Sequence, residues 1–351
     1  MIISPADTSY VKPLGRTTPI EKGLWLCWSG SGAEFTFTGA KCRITILGDD
    51  QSKAPETPEN HARLAIEING ERVVSQQIAD KVNTFAFEHS ENRDWHVRII
   101  KLSESAMATC VLSQIECDGT PTPTQKKLHA MEIVGDSITC GYGIDDPVAE
   151  HPFHTATEDV TQAYAYLAAQ ELNADYAIVS LSGWGIISGY TGNGERSGDQ
   201  LLPPHYDKAG YCHQTFEGMK PQQLSWDFSR FTPEVVIVNL GTNDDSFTGE
   251  DAERQSEYCR EYQLFLKKIR RLNPSASILC TLGMMGDRLY PQVEKAVAQY
   301  TAETGDTNVD CLHFNPQTAE DGYSSDWHPS KLTQRRAGAA LADKLKNWLG
   351  W

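Results

Sequence analysis

Near residue 120 the hydropathy period of the chain changes, and that change limits what the chain can fold into. Ahead of it, short apolar runs alternate at period two. They include Glu34-Phe35-Thr36-Phe37-Thr38, Cys42-Arg43-Ile44-Thr45-Ile46-Leu47, Leu64-Ala65-Ile66-Glu67-Ile68, Thr84-Phe85-Ala86-Phe87 and His96-Val97-Arg98-Ile99-Ile100. Alternation of this kind turns every second side chain toward one face of a strand. Asn69-Gly70-Glu71-Arg72 lies between two such runs and reads as a hairpin turn. No helical spacing interrupts the series, so residues 1–120 predict an all-β jelly-roll sandwich. Asp118-Gly119-Thr120-Pro121-Thr122-Pro123-Thr124 leads into a linker over 121–128. From 129 to 351 the pattern is different. Strand candidates at 131–135, 176–181, 234–241, 277–283 and 308–314 alternate with helix candidates near 158–173, 251–272, 291–304 and 331–348. Tyr258, Tyr262, Phe265, Leu266 and Ile269 fall on one face of the second helix. Strand–helix alternation predicts a three-layer α/β domain around a parallel sheet.

With 351 residues the chain is long enough to build two cores. Its 40% hydrophobic and 22% charged residues set it among ordinary globular proteins rather than disordered or membrane-spanning ones. A formal net charge of −16 repels nucleic acid and anionic membrane surfaces, so neither is expected as a partner. A neutral polysaccharide is indifferent to it, and oligomerisation is left open. The opening Met1-Ile2-Ile3-Ser4-Pro5-Ala6-Asp7 has no basic stretch followed by an apolar one, which predicts a cytoplasmic location, or a secreted one if a leader has been removed. Nine cysteines, an odd number with no CxxC pair, fit a reducing compartment better than a disulfide scaffold. Cys110 and Cys117 could face each other, but the odd count argues against a structural bridge. Cys140 reads as a small packing residue.

Three segments in the second region carry candidate chemistry. Ile133-Val134-Gly135-Asp136-Ser137 is an apolar run ending in a turn that would expose a serine hydroxyl at the C-terminal end of a strand. Val238-Asn239-Leu240-Gly241-Thr242-Asn243-Asp244 ends another strand in a polar turn, and Asp326-Trp327-His328-Pro329-Ser330 precedes the last helix. A serine hydroxyl needs an adjacent base to act as a nucleophile, and His328 is the best candidate to supply one to Ser137. An oxyanion would need donors, for which the Ser137 and Gly183 backbone N–H groups and the Asn243 amide are suited, with Gly185 a rival for Gly183 and an Asx turn a rival reading of Asn243. Asp136 and Asp244 read as turn-stabilising residues. Trp184, Trp327 and Tyr142 flank the proposed site, and an aromatic face there could stack on a sugar ring. His151 and His154 are three apart, but Pro152 between them disfavours a helical metal site. No G-x-S-x-G elbow, Walker A loop or dinucleotide fingerprint is present, so no cofactor and no metal are expected.

The blocks Gly135-Asp136-Ser137, Ser182-Gly183, Gly241-Thr242-Asn243-Asp244 and Asp326-Trp327-His328 resemble, in order, those of the SGNH (GDSL-type) hydrolases, and the β-rich segment ahead of them makes the whole chain similar to carbohydrate esterase family 2. The resemblance implies a three-layer hydrolase domain behind a jelly roll. It also implies a serine esterase that removes O-acetyl groups from xylan, glucomannan or derived oligosaccharides through an acetyl-serine intermediate. Asn243 takes the role of oxyanion donor in it, with Ser137 and Gly183. Substrate contact by Trp184 and Trp327 is expected from their place beside the proposed site, Trp184 directly after Gly183. A lipid or thioester hydrolase of the same superfamily and a non-catalytic carbohydrate-binding protein are the alternatives. One position departs from the pattern. Most of these enzymes place an aspartate three residues before the histidine, but position 325 is Ser and Asp326 stands two before. The orienting group is therefore expected to be the Asp326 carboxylate, with the Trp327 carbonyl as alternative.

Overall fold

A computed structural model describes residues 1–53 and 60–351. Two compact units are present: one comprises Met1–Lys126 with His154–Glu158 and Asp207–Trp226, the other Lys127–Phe153, Asp159–Tyr206 and Asp227–Trp351.

The first unit is antiparallel β throughout, as its period-two sequence predicts. Its strands are β1 (Ile2–Ile3), β2 (Lys12–Leu14), β3 (Thr17–Ile20), β4 (Gly23–Leu26), β5 (Gly32–Gly48), β6 (Arg63–Ile68), β7 (Glu71–Gln77), β8 (Val82–Lys101), β9 (Cys110–Cys117) and β10 (Thr122–Pro123). All ten join one hydrogen-bonded sheet, ordered β3-β4-β9-β5-β8-β6-β7, with β1 on β9 and with β2 and β10 on β5. The long strands β5 and β8 shift register between Gly39 and Lys41, the kind of bulge that bends a strand and increases its twist. Alternate residues such as Phe35, Ile44, Ile46, Val97, Ile99 and Leu112 are buried in a shared core. The Asn69-Gly70 hairpin joins β6 to β7 with both residues at positive φ, the geometry that Asn-Gly favours.

The second unit has a five-stranded parallel sheet. Its strands are β11 (His129–Gly135), β12 (Ala174–Ser180), β13 (Val235–Asn239), β14 (Ser277–Leu282) and β15 (Val309–His313), in the order β12-β11-β13-β14-β15. Its helices are α1 (Ser137–Cys140), α2 (Tyr164–Glu171), α3 (Thr242–Thr248), α4 (Ala252–Leu272), α5 (Tyr290–Thr304) and α6 (Lys331–Leu349). Helices α2 and α6 share one core with the Met131, Ile133, Ile178, Ile237 and Leu279 side of the sheet. The sheet's alternate residues Val134, Val179, Val236 and Val238 are equally buried, so both faces are covered and the strands read as continuous apolar runs. Tyr258, Tyr262, Phe265, Leu266 and Ile269 are the buried stripe of α4, as their spacing predicts. Asp251 begins that helix by accepting hydrogen bonds from the Glu253 and Arg254 amides. The helix expected from residue 158 starts later, at Tyr164, because Asp159 caps a separate 3₁₀ turn over Val160–Gln162. Among the described residues no helix is long and apolar enough to cross a membrane.

The strand order reverses direction at β11, with β12 on one side and β13 on the other. Such a switch point opens a crevice at the carboxyl ends of the two central strands. Ser137 follows β11 and Asn243 follows β13.

Candidate active site

The turn after β11 is shaped by local chemistry. Asp136 is the N-cap of α1, and its carboxylate accepts from the Ile138 amide at 3.0 Å. Gly135 must lack a side chain, since a Cβ there would lie 2.0 Å from Thr139 Oγ1. Ser137 is thereby presented at the first position of the helix. His328 reaches it from the loop before α6, and its Nε2 lies 2.9 Å from Ser137 Oγ.

That distance acquires direction from the other ring nitrogen. His328 Nδ1 is 3.0 Å from the Asp326 main-chain carbonyl, which can only accept, so Nδ1 carries the proton and Nε2 is left as an acceptor for the serine hydroxyl. Burial pushes the His328 pKa down to about 4, partly offset by the Asp326 carbonyl, so the ring is neutral at pH 7.

The orienting group is thus neither of the two expected from sequence. The Asp326 carboxylate accepts instead from the Tyr142 hydroxyl at 3.1 Å, and the Trp327 carbonyl accepts from Gln317 Nε2 at 2.9 Å. The reason lies in the backbone. Asp326 and Trp327 are both left-handed, at φ 53° and 60°, which turns the Asp326 carbonyl toward the ring. Two consecutive non-glycine residues in this region carry strain, and the surrounding loop holds them in place. The Asp326 amide donates to the His151 carbonyl, the Trp327 amide to the Ala149 carbonyl and the Ser324 amide to the His328 carbonyl. Tyr142 adds a stacked ring, 3.9 Å from the imidazole between centroids, with Phe153 behind it at 4.1 Å. Sequence had placed Tyr142 only as a flanking aromatic.

The oxyanion candidates follow three neighbouring strands, Ser137 after β11, Gly183 after β12 and Asn243 after β13. Gly183 has φ +81°, a conformation that suits glycine and sets its N–H after β12. The amide of Gly185, its rival, donates to the Gln200 carbonyl at 3.1 Å. Asn243 Nδ2 donates to the Trp184 carbonyl at 2.9 Å and, at 3.3 Å, to the Asp136 carboxylate. Asp136 is pushed up to about 7 by burial, and Asp244 up to about 6 for the same reason. Asp244 does more than stabilise its own turn, because its carboxylate accepts from the Ile186, Ile187 and Ser188 amides and ties the segment after Gly183 to α3. The two expected tryptophan platforms differ. Trp184 is only 1% exposed, with its ring edge-on to His205, so it presents no face to a ligand, whereas Trp327 is 52% exposed. Apolar sequence around Trp184 (Leu181, Ile186, Ile187) was the available sign of its burial. His151 bonds the Asp146 carboxylate through Nδ1 at 2.9 Å.

Similarity to known proteins agrees with this geometry. The profile of the GDSL-like lipase/acylhydrolase family matches residues 133–336, which hold every group just described. The chain belongs to that family. The N-terminal domain model of carbohydrate esterase 2 matches residues 14–125, ahead of the GDSL-like match. The chain is 28% identical to the cellulase/esterase CelE of Acetivibrio thermocellus over 328 residues, which is 92% of this chain and 38% of that protein. It thus spans well under half of the length of CelE. An acetylxylan esterase/glucomannan deacetylase of Cellvibrio japonicus is 25% identical over 90% of this chain and 85% of its own. Among solved structures, the acetyl xylan esterase Est2A of Butyrivibrio proteoclasticus superposes with a TM-score of 0.88 at 24% identity, covering 100% of this chain and 99% of that one, a likeness of fold.

Proposed function

We propose that this GDSL-family chain is a carbohydrate O-acetylesterase acting through an acetyl-serine intermediate. The observation that carries the proposal is the 2.9 Å contact between Ser137 Oγ and an imidazole whose tautomer leaves Nε2 free to accept the serine proton. Ser137 Oγ attacks the acetyl carbonyl while His328 Nε2 takes its proton. The Asp326 carbonyl stabilises the imidazolium that results, in the place where other serine hydrolases use a carboxylate. Negative charge on the tetrahedral oxygen is met by the Ser137 and Gly183 amides and by Asn243 Nδ2, whose longer hydrogen bond, to Asp136, is the one that turns to the oxyanion. His328 then returns the proton to the departing sugar hydroxyl. Water attacks the acetyl-serine by the same route in reverse, and acetate leaves.

The substrate class rests on relatives. Names that specify acetylxylan and glucomannan support acetylated xylan, glucomannan or their oligosaccharides as substrates. Trp327, half-exposed beside His328, is the aromatic surface we assign to sugar contact. A cytoplasmic location is our reading from the odd count of nine cysteines.

The test is acetate release from acetylated xylo- and manno-oligosaccharides by the wild type and Ser137→Ala, with a longer-chain aryl ester alongside. Serine-dependent acetate release with little activity on the longer ester is the expected result. Serine-dependent cleavage of the longer ester alone would move the chain to lipid or thioester hydrolysis, and activity indifferent to Ser137→Ala would overturn the mechanism.

A further inference from the structure

The β unit contains a pair of thiols that face each other across two strands. Cys42 on β5 and Cys117 on β9 are direct cross-strand partners, and Cys117 Sγ lies 3.7 Å from Cys42 Sγ. Their hydrogen-bond context decides what can follow. The Asp118 amide donates to the Lys41 carbonyl at 3.3 Å, while the Cys117 amide turns the other way, to the Met1 carbonyl at 2.9 Å. Cys42 and Cys117 therefore occupy a non-hydrogen-bonded pair of the antiparallel ladder, where Cα atoms approach to about 4.5 Å. Disulfides span Cα separations of about 4.4–6.8 Å, a range that includes the spacing typical of such a pair. Cys110, the partner that sequence spacing suggests, sits opposite Gly48 and Leu26 instead.

A second observation concerns access. Both cysteines are buried, each 2% exposed, at the floor of a surface cavity of about 270 Å³ lined also by Met1, Lys41, Phe87 and Glu116. The register shift of β5 ends at Lys41, one residue before Cys42, and β9 ends at Cys117.

We propose that Cys42 and Cys117 are an oxidisable pair that closes to a disulfide in the folded chain, with a small-molecule disulfide such as oxidised glutathione as the oxidant. One cysteine thiolate attacks a sulfur of the oxidant, forming a mixed disulfide and expelling one small thiol. The second cysteine attacks the protein-bound sulfur, forming the Cys42–Cys117 bond and expelling the other small thiol. The two cysteines lose two protons and two electrons in all, and the oxidant takes up both. Sharing its proton with the neighbouring Cys117 sulfur, together with burial, holds the Cys42 thiol above its ordinary pKa, so exchange is slow at neutral pH and faster at alkaline pH. The bridge joins positions 75 residues apart and encloses β6, β7 and β8, so it restricts the unfolded chain far more than the folded one.

The reduced full-length chain is incubated with oxidised glutathione, cleared of it, denatured, alkylated and mapped by mass spectrometry without reduction. We expect two thiols to be lost from alkylation, a cross-linked peptide containing Cys42 and Cys117, a Tm raised by several degrees and reversal of all three by dithiothreitol. Cys42→Val and Cys117→Ala, each folded by circular dichroism, should show none of these. A bridge between other cysteines, a glutathione adduct on a single thiol, or full alkylation of both residues after incubation at pH 8.5 would each overturn the proposal.

Discussion

A single carbonyl separates this site from the usual serine-hydrolase triad. His328 Nδ1 donates to the Asp326 main-chain carbonyl, so the Asp326 side chain is expected to be dispensable for orienting it. Asp326→Asn keeps the carbonyl and is expected to leave kcat within about tenfold of wild type, whereas loss of an orienting carboxylate in a serine protease costs about 10⁴. Steady-state kinetics on an acetyl ester decide it, and a loss near the larger figure would return the role to the carboxylate. Asn243→Ala should lower kcat about 10²- to 10³-fold with a smaller change in KM, because its donor acts mainly on the oxyanion. The His328 pKa predicts a pH effect of defined sign. At about 4, against an ordinary value near 6.5, the ring is already the free base at pH 5.5, so protonation of His328 should lower kcat/KM only as pH drops toward 4. The same shift enters stability. Between pH 6.5 and 4 the unfolded chain binds a proton that folded His328 refuses, so this residue makes the fold less stable as pH falls through that window, by about 3 kcal/mol in total. Asp136 and Asp244, with raised values, act in the opposite direction, favouring the fold at the acid end of their range. Denaturant unfolding of wild type and His328→Asn across pH 4–7 isolates the histidine contribution, which should vanish in the variant.

At the scale of elements, the catalytic turn is held by the last helix. Gln334 of α6 donates from Nε2 to the Ile138 carbonyl at 2.9 Å and accepts the Tyr164 amide at 2.8 Å, linking α6 to α1 and α2. Gln334→Ala leaves two buried backbone groups without those partners, at about 1–3 kcal/mol each. The expected outcome is a lower urea midpoint together with a reduced kcat, since Ile138 directly follows Ser137; an unchanged midpoint would mean that water replaces the amide. These elements differ in how legible they were. Four helix candidates were visible as amphipathic or apolar windows, and α4 matched its predicted residues within one position. Helices α1 and α3 were not visible, because segments of four and seven residues are too short to carry a period. Both start at the site, where Ser137 and Thr242 follow strand ends.

The whole molecule carries a formal charge of −16, and this acts on substrates before any contact is made. A neutral acetylated glucomannan should be turned over with a kcat/KM that changes little between low and high salt. An acetylated xylan bearing uronic acids should be repelled at low ionic strength and should improve as salt shortens the Debye length from about 30 Å at 0.01 M to about 10 Å at 0.1 M. Parallel salt titrations on the two substrates measure it, and equal salt responses would show that the net charge does not reach the site. Of the large-scale organisation, the order of an all-β unit before an α/β unit was legible from the change in period alone. Assignment of His154–Glu158 and Asp207–Trp226 to the β unit was not, because those segments carry no strand period of their own and join it through tertiary contacts such as Phe216 with Trp25 and Thr215 with Asp50.

Local chemistry determined much of the protein in advance. Periodicity fixes which residues are buried along a strand or helix, and a Gly-Asp-Ser turn after an apolar run presents a serine, so the fold class and the serine we propose as nucleophile were both readable from neighbours in sequence. Tertiary structure alone decided what faces what. It set the Asp326 carbonyl, not a carboxylate, behind His328, buried Trp184, stacked Tyr142 on the imidazole and paired Cys117 with Cys42 rather than Cys110. Each of these depends on a backbone dihedral or a strand register, and a shift of one residue or one φ angle would change the partner while leaving the sequence pattern as it is.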